Sequence, residues 1–254
     1  YKKMLLNMPK FKGKELEEQI KNNPIFILPI GSIEQHGSHS TLGTDYVIPK
    51  YLCEQIENIE NVISLPAIPY GVCPYHKGFP GSFDIGYNTL FNIIYKIIET
   101  IKNDGAKKLI IINGHGGNTA AIEDAGTILS ENMNIIVVDW WNLAGNLNPI
   151  YKGGHGDKQE TSAVMAIKEN SVKLNLLKKQ KMKHISKNIK FSDSINANFQ
   201  NGSIKILKNV KEIVEDGWVG NLDPSESNVE FGKQMLNDVT NYLIDFIEEF
   251  KKID

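Results

Sequence analysis

The sequence predicts an α/β protein with a mostly parallel central sheet and helices on both faces. Short, continuously apolar runs that suit buried strands recur along the chain, and stretches with apolar residues at helical spacing separate them. Gly-rich, His-bearing segments follow several of these runs, where the carboxyl ends of parallel strands place functional loops.

Taken in order, Ile25–Ile30 is a six-residue apolar run that stops at Gly31 and reads as the first strand. Tyr46–Ile59 reads as a helix and Val62–Leu65 as a second strand. Asn88–Asn103 places Leu90, Ile93, Ile94, Ile97, Ile98 and Ile101 on one helical face. Lys108–Ile112 is a further buried strand, Asn118–Glu131 a helix and Ile135–Asp139 a strand. Gln159–Lys168 reads as a helix, and Gly232–Lys251 as an amphipathic C-terminal helix. Leu174–Ile213 is rich in Lys and Asn with little periodicity, and is expected to be an excursion over the functional face. No repeat or Pro/Ser-rich linker divides the chain, so a single domain over 1–254 is expected.

Composition narrows the partners. The 254 residues are 41% hydrophobic, enough for a substantial core, and 28 basic against 30 acidic residues leave a net charge of −2. No basic stripe invites nucleic acid or anionic membrane. All 28 basic residues are Lys, so anions must be met by Lys, His, backbone amides or metal rather than by guanidinium. Cys53 and Cys73 are too few for a disulfide framework and read as buried thiols. The longest apolar runs fall far short of the ~20 residues that span a bilayer. Met4–Met8 is too short and polar for a signal core, so a cytoplasmic location is expected.

Three clusters of metal-competent residues follow the predicted strands. Glu34 and His36 lie two apart, so an extended backbone points both to one side, and Asp45 follows after a short loop. His115 stands in Asn113-Gly114-His115-Gly116-Gly117-Asn118, and His155 in Gly153-Gly154-His155-Gly156-Asp157, just before a helix carrying Glu160. Each cluster alone has an ordinary explanation: exposed side chains that only meet water for Glu34 and His36, a strand-to-helix turn capped by Asn118 or an anion cradle for the second, a structural His for the third. Together, with His39 counted beside His36, they gather four of the six histidines into Gly-rich loops, which favours a metal site. Histidines with carboxylates suit zinc, manganese or iron, and an Asp that bridges two ions is a common hydrolytic device.

Leu28-Pro29-Ile30-Gly31-Ser32-Ile33-Glu34-Gln35-His36-Gly37 with Leu42-Gly43-Thr44-Asp45 resembles the signature of the creatininase family. Asn113–Asn118 resembles that family's second motif. His76-Lys77-Gly78-Phe79-Pro80-Gly81-Ser82 is similar to its His-x-x-Phe-Pro-Gly-Thr stretch, and His155 through Ser162 to its His-Ala-Gly…Glu-Thr-Ser stretch. Gly217–Pro224 resembles its Gly-Asp-Pro turn, interrupted by Asn221-Leu222. The resemblance spans about residues 24–245. It implies a three-layer α/β/α sandwich with a mostly parallel central sheet, two divalent ions per subunit (zinc favoured, manganese or iron also suited), and a homo-oligomer, often a hexamer.

Carried over, Glu34, Asp45 and His115 would hold one ion, and His36 with bridging Asp45 the other. The family's creatinine-cleaving enzyme adds a Glu two residues after the second-motif His, where this chain has Gly117, and a Tyr just after that His, where it has Gly116. A pocket Trp four residues before the third-motif His is Tyr151 here, and Trp140 and Trp141 do not align plainly with the other pocket Trp. Glu160 is expected to replace the missing ligand or leave the second site weak. The Gly-Gly form resembles other members, among them the archaeal formylaminopyrimidine-nucleotide deformylase and the mycofactocin-precursor peptidase.

The resulting expectation is hydrolysis of a non-peptide C–N bond in a small-molecule amide, a cyclic amide or a formamide, by a metal-bound hydroxide. His155 would serve as general acid with Glu160 assisting, and Ser82, Gly116, Gly117 and Tyr151 would contact substrate. His76 is expected to structure its loop. The alternatives are a metal-dependent phosphoester or ester hydrolase and a non-catalytic binding protein on the same fold.

Overall fold

The computed structural model describes residues 11–253. Met4–Met8 and the terminal Asp254 lie outside them. In chain order, helix α1 (Gly13–Ile20) leads into strand β1 (Ile25–Ile30), helix α2 (Thr44–Ile56) and strand β2 (Val62–Ser64). Helix α3 (Tyr87–Asn103), strand β3 (Lys108–Asn113), helix α4 (Thr119–Leu129) and strand β4 (Asn134–Asp139) follow. Helices α5 (Trp140–Leu147) and α6 (Lys158–Lys168) precede three short strands, β5 (Ile189–Phe191), β6 (Asn196–Phe199) and β7 (Gly202–Lys205). A single-turn helix α7 (Val210–Ile213) and the long helix α8 (Val229–Phe250) complete the chain.

Strands β2-β1-β3-β4 form a wholly parallel sheet, with β1 in register with β3 from Ile25↔Lys108 to Ile30↔Asn113. Strand residues alternate between the faces. Ile25, Ile27, Ile110 and Ile112 pack with residues of α2, α5, α6 and α8. Phe26, Leu28, Ile30, Leu109 and Ile111 pack with α3 and α4, against which Leu16 and Ile20 of α1 also rest. These are the three layers expected, and a strand buried on both faces explains why β1 and β3 are apolar at nearly every position. Each fully buried Ile or Leu contributes about 1.5–3 kcal/mol, so the two helix layers anchor the sheet firmly. No helix of the described residues is long and apolar enough to cross a membrane. Cys53 and Cys73 are free and buried.

The Lys- and Asn-rich stretch contains a separate antiparallel sheet, β5-β6-β7. It has its own small core of Phe191, Ala197, Val210, Ile213, Val214 and Val219, against which Phe79 packs. The chain just before it is tied to the loop after β1: Lys173 N–H donates to the His39 carbonyl and Ser38 Oγ to that of Leu176. This excursion is thereby fixed beside the carboxyl ends of β1 and β3.

Candidate metal centre

The loop after β1 is drawn out between two flanking segments. Glu34 N–H donates to the Leu42 carbonyl, Gln35 N–H to Ser82 Oγ, and Phe83 N–H to the Ile33 carbonyl. Held extended, it turns Glu34 and His36 to the same side, and both are fully buried. Asp45 enters from the first turn of α2 and Glu160 from the first turn of α6, where the positive end of each helix favours a carboxylate. His115 comes from the turn beyond β3, the strand that pairs with β1.

Two groups of three ligand atoms share Asp45. Glu34, Asp45 and His115 form one, His36, Asp45 and Glu160 the other, with all ligand atoms of each group within 4.8 Å of one another. A third such group is Glu34, His36 and His155. His115 Nδ1 lies 3.0 Å from Asp45 Oδ2 and 3.3 Å from Glu34 Oε1. His36 Nε2 lies 2.9 Å from Asp45 Oδ1 and 3.4 Å from Glu160 Oε2.

The second nitrogen of each ring shows what this arrangement suits. His115 Nε2 is 2.9 Å from the Val72 carbonyl and His36 Nδ1 is 3.1 Å from that of Glu34. A carbonyl only accepts, so these nitrogens carry the hydrogens, and in the neutral ring the opposite lone pair faces carboxylate oxygen. That juxtaposition is repulsive unless a cation lies between, and a backbone carbonyl on the far nitrogen is how metal-binding His is usually oriented. Both oxygens of Glu34 are buried without an N–H or O–H hydrogen bond, with the weak thiol of Cys73 and the ring nitrogens of His76, His115 and His155 as polar neighbours, and Asp45 Oδ2 faces His115 Nδ1. A hard or borderline divalent ion fits this donor set.

The electrostatics of the bare protein agree. Burial pushes Glu34 up to about 7, with His115 drawing it back, and Glu160 up to about 8, with His36 opposing. Burial also disfavours charge on the rings, but the carboxylates of Asp45 and Glu160 carry His36 to about 10, and those of Glu34 and Asp45 carry His115 to about 9. Asp45 resists its own burial and is held well below the usual carboxylate range by His36 and His115. Protons and imidazolium charge thus do in the bare protein what cations would do.

His155 is placed between the rings of His36 and His76, with centroids 4.4 Å away on each side. Its Nδ1 is 3.6 Å from Glu34 Oε1. Burial, then the neighbouring His36, lowers its pKa well below 6.5, so the ring is a neutral N–H donor rather than the imidazolium a strong general acid needs. The predicted strand that precedes it is β4, with α5 and a 3₁₀ turn at Pro149–Tyr151 standing between that strand and His155. What positions His155 is pairing with Val219, N–H to carbonyl in both directions. Asp157 caps α6 through Gln159 N–H and also accepts from Gly154 and Leu222 N–H, which locks the loop to the 217–222 turn.

The remaining expected residues divide. Ser82 Oγ accepts from Gln35 N–H and lines an open cleft of about 480 Å³ with Tyr70, Lys77, Phe83, Asp84 and Ile85. Gly116 and Gly117 are exposed beside His115. A Cβ on Gly117 would stand 1.9 Å from the Val72 carbonyl oxygen and 2.5 Å from His115 Nε2, so this backbone has no room for the family's glutamate. Tyr151 is not brought to the cluster: it is buried in the core against Phe231, its hydroxyl donating to Asp238 Oδ2 at 2.7 Å. Asn118 does not cap α4; it donates to the Gly31 carbonyl and accepts from Val72 N–H, holding the strand-end loops together. His76 does more than shape its loop, since its Nε2 lies 3.7 Å from Glu34 Oε1. Gln35 had no expected role, yet it touches both His76 and His155.

Comparison with known proteins returns a consistent group. The model of the creatininase family, described as creatinine amidohydrolase, matches residues 10–247. The chain is similar to creatinine amidohydrolase of Pseudomonas putida, 26% identical over 186 residues, covering 64% of this chain and 72% of that one. It is also similar to 3-dehydro-scyllo-inosose hydrolase of Thermotoga maritima, 28% identical over 166 residues, covering 61% of this chain but only 53% of that protein. Among solved structures, a manganese creatininase superposes with a TM-score of 0.78 at 19% identity, over 97% of this chain and 98% of that one.

Proposed function

The chain belongs to the creatininase family, and from that premise we propose that it is a metal-dependent hydrolase of a non-peptide C–N bond, in a cyclic amide or a formamide. The observation that carries this reading is the sharing of Asp45 by two ligand groups, Glu34–Asp45–His115 and His36–Asp45–Glu160, which suits two divalent cations. Cations bound there would polarise a carbonyl oxygen and lower the pKa of water.

The protein's own residues set the rest. The Val72 and Glu34 carbonyls keep His115 Nδ1 and His36 Nε2 turned inward. Glu160 takes the place of the glutamate that Gly117 cannot supply, steadied by Gly156 N–H at 2.6 Å. His155 presents an N–H on the Glu34 side, suited to supplying a hydrogen to the leaving nitrogen. Gly116 and Gly117 lie exposed beside His115 with no side chain to cover it, and Ser82, which accepts from Gln35 N–H, lines an open cleft. Gly116 and Tyr151 stand where the creatinine enzyme carries Tyr and a pocket Trp, which favours a substrate other than creatinine.

Elemental analysis of protein purified without chelator or His-tag, followed by a panel of formamide, lactam, peptide and phosphoester substrates, tests the proposal. Close to two ions per chain with selective cleavage of formamides or lactams is expected. Cleavage confined to peptides or phosphoesters would overturn the assigned bond, and failure to retain metal after reconstitution would overturn the enzyme reading itself.

A further inference from the structure

Gln35 lies in the loop between Glu34 and His36, and its side chain is buried. Two backbone groups fix which end of its carboxamide is which. Gly37 N–H donates to Oε1 at 3.0 Å, and Nε2 lies 3.0 Å from the Gly217 carbonyl. Exchanging the ends would set donor against donor and acceptor against acceptor, so the assignment follows from groups whose polarity is not in question.

The same Nε2 lies 2.8 Å from His76 Nδ1 and 2.9 Å from His155 Nε2. An amide nitrogen donates and does not accept. A hydrogen on either of those ring nitrogens would therefore collide with the Gln35 hydrogens, and both rings must meet Gln35 with a lone pair. Each neutral ring then carries its hydrogen on the opposite nitrogen, His76 on Nε2 and His155 on Nδ1. Both of those nitrogens face Glu34 Oε1, at 3.7 and 3.6 Å.

We propose that Gln35 is a positioning residue that sets the tautomer of His155, leaving Nδ1–H as the face the ring shows to the candidate metal centre. Its two amide hydrogens serve three acceptors, the Gly217 carbonyl and the two rings, so one amide couples both histidines. Formation of an imidazolium at His155 would need a hydrogen on Nε2, which Gln35 opposes, so the ring works as a neutral hydrogen-bond donor. Gly217 belongs to the same device: it sits at φ +91°, and a Cβ there would lie 1.9 Å from Gln35 Oε1.

The inference rests on the metal-centre reading only for its use, and the test separates the two. Ring-nitrogen NMR on ¹⁵N-histidine-labelled protein, metal-free and zinc-loaded, reports which nitrogen of each imidazole is protonated. A His155→Gln spectrum identifies the resonances, and zinc content is measured on the same samples. In the wild type, His155 is expected to show a protonated Nδ1 and a bare Nε2 in both samples. Gln35→Glu, which offers an acceptor instead, is expected to move the hydrogen to Nε2, and Gln35→Met to lower the preference for Nδ1–H by about tenfold or more. Gly217→Ala should act like Gln35→Met by displacing the carboxamide. Zinc content should be unchanged in Gln35→Met, as a merely structural collapse would not allow. A hydrogen on Nε2 in the wild type, which no variant is needed to detect, or a His155 ring indifferent to Gln35→Glu and Gln35→Met, overturns the proposal. Loss of zinc binding in wild-type protein with the Nδ1–H tautomer intact would instead count against the metal reading alone.

Discussion

The two halves of the candidate centre are built differently. Glu34 and His115 hang from loops after adjacent strands, β1 and β3, and neither oxygen of Glu34 accepts a hydrogen bond from an N–H or O–H group. On the other side, Glu160 comes from a helix start, and its Oε2 already accepts from Gly156 N–H. An unsatisfied buried carboxylate gains more from a cation than one that is already hydrogen-bonded. The Glu34 half should therefore bind first and release last, while the Glu160 half is the adjustable one. The lesson is that sharing Asp45 does not make the sites equivalent; the partners of the other carboxylate rank them.

Asp45→Asn should erase the comparison, since both halves need that residue. Metal content should fall from about two ions per chain towards none, a loss in affinity beyond the 10–100-fold typical of an outer hydrogen-bond partner, and turnover should vanish with it. Full metal content in this variant would refute the shared role. Glu160→Gln should remove one equivalent and leave the other, because a Gln oxygen can still accept from Gly156 and keep the loop in place; loss of both ions would show the halves to be inseparable.

Removing metal should expose the charges that the cations balance. In the metal-free fold, Glu34 and Glu160 hold protons up to about 7 and 8 that an unfolded chain releases near 4.5. His36 and His115 stay protonated to about 10 and 9 against 6.5 unfolded. All four bind protons more tightly when folded, so their stabilisation is present at low pH and is lost as pH rises. Asp45, shifted the opposite way, is fully ionised throughout that range. His39, His76 and His155 are shifted down by burial and act in the opposite sense below about 6.5, so the unfolding midpoint of metal-free protein should fall steadily from pH 7 to 9, with a much flatter profile for the loaded protein. A metal-free midpoint that rises over this range would contradict the arrangement.

Smaller effects mark the edges of the site. Gly117→Ala should destabilise by about 1–3 kcal/mol through overpacking against the Val72 carbonyl. Gly116→Ala, whose nearest neighbour would be Trp141 at 3.8 Å, should cost little. Equal effects at the two positions, by chemical denaturation, would show that the loop yields. Tyr151→Phe should cost about 1 kcal/mol by losing the bond to Asp238 and leave metal content and turnover unchanged. A marked change in turnover would return Tyr151 to the substrate.

How much of this was readable from residues alone depended on range. The parallel sheet was legible because β1 and β3 are buried on both faces and so are apolar almost throughout. Helices α1 and α5 were not: α1 buries no residue fully and α5 only Trp140 and Ala144, too little for a periodic signal. The small sheet escaped for the same reason, its strand β7 being exposed at every position. Glu34, His36, Asp45, His115 and Glu160 could be picked out because each sits in a short Gly-rich or helix-starting context, and the structure brings all five together. Tyr151 could not be placed, since its hydroxyl partner lies on α8. Gln35 gave no signal because its role exists only where segments around 76, 155 and 217 converge.

The crowding of Gly117 by the Val72 carbonyl acts as a ratchet on how such a site can change. A chain with this loop cannot accept a glutamate at that position by one replacement, because the backbone of the 71–73 segment would have to retreat first. Contacts that tighten that segment, such as the Asn118 clasp on Val72 N–H, add to what would have to move. Anyone seeking to convert one type of centre into the other would do well to rebuild that carbonyl's loop before touching a ligand.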